Sequence, residues 1–218
     1  MRRGPRKTNK GAPFEREMAE RLSRWWTDGH RSDIFWRTAN SGGRATVRRR
    51  KALTTVNQAG DLGAIDASGQ ALLDLVVVEL KRGYSRRSIA DALDRGEDDK
   101  TSLYEGWLEK LITTQRACGV FSWLLIARRD RHEAFVFLPI DLLHELKRYG
   151  ASIGNHTYPI LTLELKLMVG EVKLIGMTLE GFFDTVRPKH VVRLAEELKR
   201  EREQLGLPAR GKDHSGDA

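Results

Sequence analysis

The clearest pattern of apolar and polar residues lies near the start of the chain, in residues 13–27. Apolar side chains recur there at helical spacing, namely Phe14, Met18, Leu22, Trp25 and Trp26. Pro13 stands where the first turn would begin, and Gly29 follows the last turn, so both ends carry ordinary helix boundary signals. The pattern predicts an amphipathic helix over residues 13–27.

The next segments predict strands and loops. Residues 33–39 are strand-like, and residues 40–58, rich in Ser, Gly and Arg, form a loop. Residues 60–66 and 72–82 predict two strands around the turn-prone residues 67–70, that is, a hairpin. The second of these strands is apolar on both faces until its end, which is typical of a central strand covered on both sides.

The rest of the chain alternates between helical and strand patterns. Helices are predicted at residues 88–94, 103–117, 141–148 and 189–205, and strands at 120–127, 133–138 and, as a hairpin, 158–168 with 171–178. We therefore expect an α/β protein in which helices flank one central sheet, with a C-terminal hairpin and helix extension. The expected divisions are a basic arm at 1–12, a core at 13–150, the extension at 151–205 and a disordered tail at 206–218, with a mobile acidic stretch at 97–100.

Composition favours one folded domain in the cytoplasm. Of the 218 residues, 40% are hydrophobic and 31% charged, as in an ordinary globular protein. The longest apolar runs are strand-sized, far below the roughly 20 residues that span a bilayer. No apolar segment follows the basic residues at the start, so we expect neither a membrane span nor a signal peptide. A lone cysteine, Cys118, fits a reducing compartment and offers no zinc cluster.

Acidic and basic side chains meet at the end of the predicted central strand. Glu79 and Lys81 point to the same face of this strand and stand about 6.6 Å apart along the chain. In the predicted antiparallel hairpin, Asp61 comes directly or diagonally beside Glu79, within reach of a shared cation. Asp66 and Asp74 alternate away from this group and are expected to face elsewhere. The pattern predicts a divalent-cation site with a lysine beside it.

A further carboxylate comes from the first predicted helix. Glu15 falls within the apolar stripe, and an inward-facing carboxylate is costly unless another charge compensates it. A divalent cation shared with Asp61 and Glu79 is one such compensation, because hard oxygen ligands suit magnesium. The alternative is an ordinary ion pair with Arg16, Arg24 or another basic residue.

Gln115 lies in the apolar stripe of the helix predicted at 103–117. A buried amide needs a hydrogen-bonding partner. Gln115 is therefore either an ordinary hydrogen-bonding residue of the core, which is the commoner case, or an auxiliary site residue that holds a phosphate or orients Lys81.

The sequence Glu-Leu-Lys is a weak signal by itself, because it occurs four times, starting at Glu79, Glu145, Glu164 and Glu197. Glu145 and Glu197 lie in helical patterns, where residues two apart do not share a face. Glu164 lies in a predicted strand and is therefore the one alternative to Glu79 as the acid of the site. Only Glu79 combines an apolar strand with a preceding Gly-Asp and an inward-facing glutamate on the first helix.

Basic residues surround this carboxylate site in three clusters. The first lies in residues 1–10, the second contains Arg44, Arg48, Arg49, Arg50 and Lys51, and the third contains Arg82, Arg86 and Arg87. The net charge of +8 and the pI near 9.8 favour a polyanionic partner, because neutralising phosphates releases condensed counterions. A solvated arm is the alternative for any single cluster. Three clusters beside carboxylates favour nucleic acid.

Together these residues resemble the PD-(D/E)XK nucleases, and within them the archaeal-type Holliday junction resolvases. Residues 10–17, Lys-Gly-Ala-Pro-Phe-Glu-Arg-Glu, are similar to the Lys-Gly-x-x-x-Glu-Arg-Glu that opens the resolvases' first helix. Residues 37–42, Arg-Thr-Ala-Asn-Ser-Gly, are similar to their second strand and its Ser/Gly loop. The resemblance covers about the first half of the chain. The insertion at 44–57 and the segment after Tyr149 depart from it, and Gly60 stands where a proline is expected before Asp61.

The resemblance implies a restriction-endonuclease-like mixed sheet and a metal-dependent DNA endonuclease acting in recombination or repair. It implies that Asp61, Glu79 and Lys81 form the catalytic core and that Glu15 is a further acidic ligand. Mg²⁺, for which Mn²⁺ would substitute, would be held by these three acids and the Leu80 carbonyl. The expected partners are branched DNA, contacted by Arg16 among others, and a second copy of the chain, since junction resolution needs two active sites.

Two alternatives stay open at this point. One is a nuclease of the same fold that acts on linear duplex, as restriction enzymes and exonucleases do, or on RNA. The other is a non-catalytic DNA-binding protein on this scaffold. The complete set of two acids and a lysine argues against the second, since an abandoned site has no chemical reason to keep mutually repelling carboxylates.

Overall fold

Helices cover both faces of a five-stranded sheet in the part of the chain that the structure describes. The computed structural model describes residues 11–38, 60–94, 101–154 and 158–207. The sheet consists of β3 (Val76–Arg82), β4 (Ser122–Arg128), β5 (Ala134–Pro139), β6 (Ile160–Leu167) and β7 (Gly170–Thr178). Two short strands, β1 (Phe35–Arg37) and β2 (Leu62–Ala64), form an antiparallel pair of their own. The helices are α1 (Gly11–Trp26), α2 (Gln70–Leu75), α3 (Leu103–Cys118), α4 (Ile140–Arg148), α5 (Leu179–Thr185) and α6 (Pro188–Gln204).

The strand order of the sheet is β3-β4-β5-β7-β6. β3 and β4 run parallel, with Val76 opposite Ser122, and the other neighbours are antiparallel. A parallel pair needs a crossover connection, and α3 supplies it between β3 and β4. The predicted fold class, a restriction-endonuclease-like mixed sheet flanked by helices, is confirmed.

Two hydrophobic cores lie on opposite faces of the sheet because the side chains of β3 alternate between them. Val78 and Leu80 pack into the first core with α1, α2, α4, α5 and α6. Val77 packs into the second core, against Leu108 and Leu111 of α3 and Trp123 of β4. Both faces of β3 are therefore covered, as its apolar sequence predicted. The predicted central position is wrong, because β3 is the first strand in the sheet order and its outer edge meets Gly60 through an isolated bridge to Val78. Glu79 and Lys81 share the parity of Val77 and point to the face that α3 covers.

The predicted hairpin between residues 60–66 and 72–82 is wrong. Residues 67–69 form a short 3-10 helix, α2 follows it directly, and β3 begins only at Val76. Asp66 starts this helical segment, since its side chain accepts a hydrogen bond from the Ser68 N–H. Leu72 and Leu75 are both buried at helical spacing. A short apolar run fits a buried helix as well as a strand. Because α2 lies between residue 66 and β3, β3 runs parallel to the segment at Gly60 and not antiparallel to it.

The C-terminal hairpin predicted at 158–168 with 171–178 is present as β6 and β7, and it continues the central sheet through the pairing of β7 with β5. α5, which was not predicted, follows β7, and Thr178 caps it by accepting a hydrogen bond from the Gly181 N–H. Phe182 of α5 packs against Trp25 of α1, with ring centroids 5.6 Å apart. The segment 151–205 thus shares both the sheet and the first core with the rest of the protein.

Several predicted segments lie wholly or mostly outside the described residues: the basic arm at 1–12, the loop at 40–58, the acidic stretch at 97–100 and the tail at 206–218. Within the described ranges, no helix is both long enough and apolar enough to cross a membrane.

Candidate active site

The carboxyl-terminal end of β3 carries the two side chains that were predicted to act together. Glu79 is buried and Lys81 is half-buried, and the Lys81 ammonium forms an ion pair with the Glu79 carboxylate. The residues opposite them on the parallel strand β4 are Leu125 and Ala127. The alternation of β3 thus places one acid and one amine side by side at the rim of the sheet.

Asp61 reaches the same point from a separate segment. Gly60 forms a parallel bridge with Val78, and the Asp61 N–H donates to the Val78 carbonyl at 2.9 Å. The Asp61 carboxylate accepts a hydrogen bond from the Leu80 N–H at 2.9 Å, and its Oδ2 lies 3.9 Å from Lys81 Nζ. Asp61, Glu79 and Lys81 are therefore gathered around one place, although by a parallel contact and not by the predicted hairpin register.

Gly60 makes this close approach of Asp61 to β3 possible. Its φ is +84°, and a Cβ atom on this residue would lie 2.4 Å from the Val78 carbonyl oxygen. Neither proline, whose φ is held near −65°, nor an ordinary L-residue fits such a position. The absence of the proline expected before Asp61 thus has a physical reason.

Replacing Gly60 with alanine tests this role. We expect Gly60→Ala to lower the free energy of unfolding by more than about 1 kcal/mol, because alanine is strained at positive φ. We also expect it to reduce the nuclease activity that the sequence predicts, because the Val78 contact must open. Gly106 of α3 is the matched control, since nothing lies within 4 Å of its Cβ position. Gly106→Ala should stabilise the protein by roughly 0.5–1 kcal/mol and leave activity unchanged. Thermal unfolding and a cleavage assay measure both variants. If Gly60→Ala were as stable and as active as the wild type, glycine would not be required at this position.

The electrostatics of the site favour a bound cation. Burial raises the pKa of Asp61 to about 6, and the nearby charge of Glu79 adds to the rise. Lys81 and the Leu80 N–H act in the opposite direction, and Glu15 contributes a small further increase. Two carboxylates that repel each other in a buried place are stabilised by positive charge between them. Lys81 supplies part of that charge.

Glu15 lies on α1 at the side of this group, and its side chain is mostly buried, as its place in the apolar stripe predicted. Its Oε2 accepts a hydrogen bond from Arg37 Nη1 of β1 at 3.3 Å. The alternative that the sequence left open, an ion pair between Glu15 and a basic residue, is therefore present, and the basic residue is Arg37 of β1. Glu15 is also close enough to Asp61 to affect its pKa. Its role as a metal ligand stays a prediction.

Lys110 is a site residue that sequence reasoning missed. It lies on α3, and its Nζ is 3.7 Å from Glu79 Oε1 while 58% of its side chain stays exposed. Nothing in the sequence separates it from other charged residues on an amphipathic helix. Only the packing of α3 over the end of β3 brings it to the carboxylates. The site therefore contains two ammonium groups beside Glu79.

The predicted DNA-contacting residues lie in different surroundings. Arg16 is exposed on α1. Arg82 is half-buried at the end of β3, where its charge helps to lower the pKa of Glu17, and its Nε has no hydrogen-bonding partner among the described residues. Glu17 forms a bidentate ion pair with Arg128 of β4, at 2.5 and 2.6 Å. Five further predicted contacts, Arg44, Arg48, Arg49, Arg50 and Lys51, lie outside the described residues.

Gln115 lies away from the carboxylates. Its Nε2 donates to the carbonyls of Val120 and Phe121, at 2.6 and 3.3 Å. These residues precede β4, at the end opposite to Ala127, which pairs with Lys81. The contacts agree with the first of the two interpretations, a hydrogen-bonding residue that supports the connection between α3 and β4.

The other Glu-Leu-Lys sequences lie in plainer surroundings. Glu145 and Glu197 are on α4 and α6, as predicted, and both pair with Arg148. Glu164 is on β6, the last strand in the sheet order, with its side chain 58% exposed and 3.4 Å from Lys173. Asp66 and Asp74, expected to face elsewhere, contact Arg31 and Gln70 respectively.

The donor set fits a hard divalent cation of the Mg²⁺ type. Within the described part of the chain, no three His, Cys, Asp or Glu side chains lie close enough together to hold a metal ion by themselves. Mg²⁺ does not require such a cage, since it is commonly bound by one or two carboxylates and keeps several waters. The carboxylates of Asp61 and Glu79 provide that number.

The mixed sheet, the parallel β3–β4 pair and the group formed by Asp61, Glu79 and Lys81 agree with the PD-(D/E)XK class of nucleases, and the family comparison places the chain in this class. The chain belongs to one family within this class, described as "Phage putative PDDEXK endonuclease", whose sequence model matches residues 6–193. The match spans most of the chain, including β6, β7 and α5. No curated protein and no solved structure shows a significant match.

Proposed function

We propose that this protein is a metal-dependent DNA endonuclease that hydrolyses phosphodiester bonds at Asp61, Glu79 and Lys81. The observation that carries the proposal is the convergence of these three side chains at the end of β3, with the Lys81 ammonium paired to Glu79 and 3.9 Å from Asp61. Membership of a nuclease family supports the same reaction class. The net charge of +8 supports a polyanionic substrate.

Asp61, Glu79 and the Leu80 carbonyl would hold Mg²⁺, with Mn²⁺ as a substitute, and Glu15 would recruit a second ion or a water. When bound, the cation activates water and neutralises the charge that develops on the phosphate. The Leu80 N–H holds the Asp61 carboxylate in place at 2.9 Å, which fixes one ligand before any cation arrives. The ion pair between Arg37 and Glu15 connects β1 to α1 beside the site.

The two lysines have separate roles in this proposal. Lys81 donates a hydrogen bond from Nζ to the attacking water and orients it, since it is held between the two carboxylates. Lys110 is largely exposed and approaches Glu79 from α3, so it meets a phosphate oxygen of the substrate. A mobile ammonium on a long stem suits that contact, because it acts as a point charge.

Branched DNA of the Holliday junction type is the substrate that we propose. The support is the similarity of residues 10–17 and 37–42 to the archaeal-type resolvases. Resolution of a junction requires two cuts, so the proposal includes a homodimer that presents two active sites.

A substrate panel tests this function. The purified protein is incubated with Mg²⁺ and a four-way junction, a flap, a linear duplex or a single strand, and the products are separated by length. We expect paired cuts in the junction, faster than any cut in the duplex, and none when EDTA is present. Faster duplex cutting would contradict the branched substrate, and no cutting of any DNA with Mg²⁺ or Mn²⁺ would favour a non-catalytic DNA-binding protein.

A further inference from the structure

A pair of aromatic rings, one exposed and one partly buried, lies near the carboxylate site. Tyr84 follows Lys81 by three residues and is 51% exposed. Its ring stands edge-on to Trp107 of α3, with centroids 5.1 Å apart. We refer to Tyr84 and Trp107 as the aromatic rim.

The aromatic rim adjoins the site through α3. Trp107 and Lys110 are three residues apart, so they lie on the same face of this helix. Lys110 Nζ is 3.7 Å from Glu79 Oε1. Trp107 therefore lies one helical turn from Lys110, which contacts the predicted metal ligand Glu79. Tyr84, which follows β3, is the other ring of the rim.

A row of rings holds the rim in place. Trp107 packs on Tyr104 with centroids 4.7 Å apart, and Tyr104, which is buried, packs on Phe137 of β5 at 5.8 Å. Tyr84 alone extends from this row into solvent. The Tyr84 ring packs on Trp107 with part of its apolar surface. The exposed part is available to pack against another flat group.

The backbone directs Tyr84 outward. Gly83 and Tyr84 both have positive φ, 101° and 58°, so the chain turns sharply as it leaves β3. A bulky residue in this region is uncommon and needs support from its surroundings. The Tyr84 carbonyl accepts a hydrogen bond from the Arg87 N–H at 2.8 Å, which stabilises the turn.

Basic residues lie next to both members of the rim, in the chain after Tyr84 and on α3 after Trp107. Arg86 and Arg87 follow Tyr84 and are exposed, with one guanidinium nitrogen of Arg87 3.9 Å from Asp91. Lys110 stands on the other side. Aromatic side chains interleaved with basic ones are typical of surfaces that bind single-stranded nucleic acid, because each base stacks on a ring while its phosphate meets a cation.

We propose that the aromatic rim stacks on an unpaired base of the DNA strand next to the phosphate that is cut. This inference rests on the proposed function and specifies its substrate class: DNA that carries unpaired nucleotides at or beside the cleavage point. Bases inside an intact duplex are already stacked on both faces and have no free face to offer Tyr84. A fork or a flap supplies an unpaired base. An open four-way junction, in which the bases are paired, supplies instead the unstacked face of the base pairs at its centre.

Equilibrium binding without turnover tests the proposal. In EDTA, fluorescence anisotropy compares a plain duplex with the same duplex carrying a short run of unpaired thymines. Tyr84→Ala should weaken binding of the unpaired DNA by about tenfold, as expected for loss of one base–aromatic stack, and leave duplex binding within about twofold. Tyr84→Phe keeps the ring and should bind as wild type. Phe121→Ala, a partly exposed ring before β4, is the control and should change neither affinity.

The possible results separate the two proposals. Equal weakening on both DNAs, or no weakening on either, overturns the aromatic rim as a stacking surface, provided that thermal unfolding shows Tyr84→Ala to be folded. A fluorescent adenine analogue at the unpaired position adds a direct readout, since wild type should quench it and Tyr84→Ala should not. If the rim passes these tests but no DNA is cut with Mg²⁺, the proposed function fails and the binding surface stands.

Discussion

A Glu79→Gln variant will bind DNA about as well as the wild type and cut it at least about 100-fold more slowly, the scale expected when several kcal/mol of transition-state stabilisation are lost. The substitution keeps the shape of the side chain and removes its charge. It leaves Asp61 as the remaining carboxylate that Lys81 contacts, so one of the two carboxylates proposed to hold the cation is lost. Cleavage under single-turnover conditions and anisotropy binding in EDTA provide the two measurements.

Glu164→Gln is the matched control for this variant. Glu164 also begins a Glu-Leu-Lys sequence on a strand, but its side chain is exposed and pairs with Lys173. Its replacement should change the cleavage rate by less than about twofold, as for a surface substitution away from the site. Equal cleavage by Glu79→Gln and the wild type would remove Glu79 from the mechanism. A large loss in Glu164→Gln would point to β6 as the site.

Phe182→Ala is expected to destabilise the protein by about 3–5 kcal/mol, the usual cost of removing a buried aromatic ring. Phe182 is 1% exposed and contacts Trp25, so it connects α5 to α1 across the first core. A loss of this size is large compared with the stability of a typical domain. Urea unfolding followed by circular dichroism and by tryptophan fluorescence measures it.

Phe121→Ala controls for the loss of a phenylalanine as such. Phe121 is 36% exposed and lies before β4, outside both cores. Its removal should cost about 1 kcal/mol or less, because a partly exposed ring loses less burial. If Phe182→Ala were no more harmful than Phe121→Ala, the segment after residue 151 would not be part of the common core. Separate unfolding transitions would lead to the same conclusion.

The elements with long periodic patterns were predicted well from the sequence. α1 and α3 each bury one face against the sheet, which leaves apolar residues at helical spacing in the sequence. β3 was expected in the centre because its apolar run leaves no polar face. Its two faces are buried, but it is the first strand in the sheet order, so its burial was predicted correctly and its position in the sheet was not. The helices and the burial of β3 depend on local composition and on which face meets the core, and both can be read directly along the chain.

The start of β3 was predicted wrongly because the leucines of residues 72–75 fit the pattern of a buried strand as well as that of a buried helix. Gln70 to Leu75 form α2, whose buried leucines match a helix of one and a half turns. Such a short run has too few residues to distinguish a period of 3.6 from a continuous apolar strand. α5 was not predicted for a related reason. Its seven residues are too few to show a helical period, and it follows β7 without a loop between them.

Alternation along a strand is a local property, so the amino-acid sequence was enough to predict which kinds of groups meet at the site and that Glu79 lies beside Lys81. The way in which Asp61 reaches them, through the parallel contact of Gly60 with Val78, depends on the packing of distant segments. The tertiary structure also decided that Lys110 faces Glu79 and that Arg37 pairs with Glu15. These contacts join segments far apart in the chain, and their geometry depends on how helices and strands pack, which no local pattern of residues records.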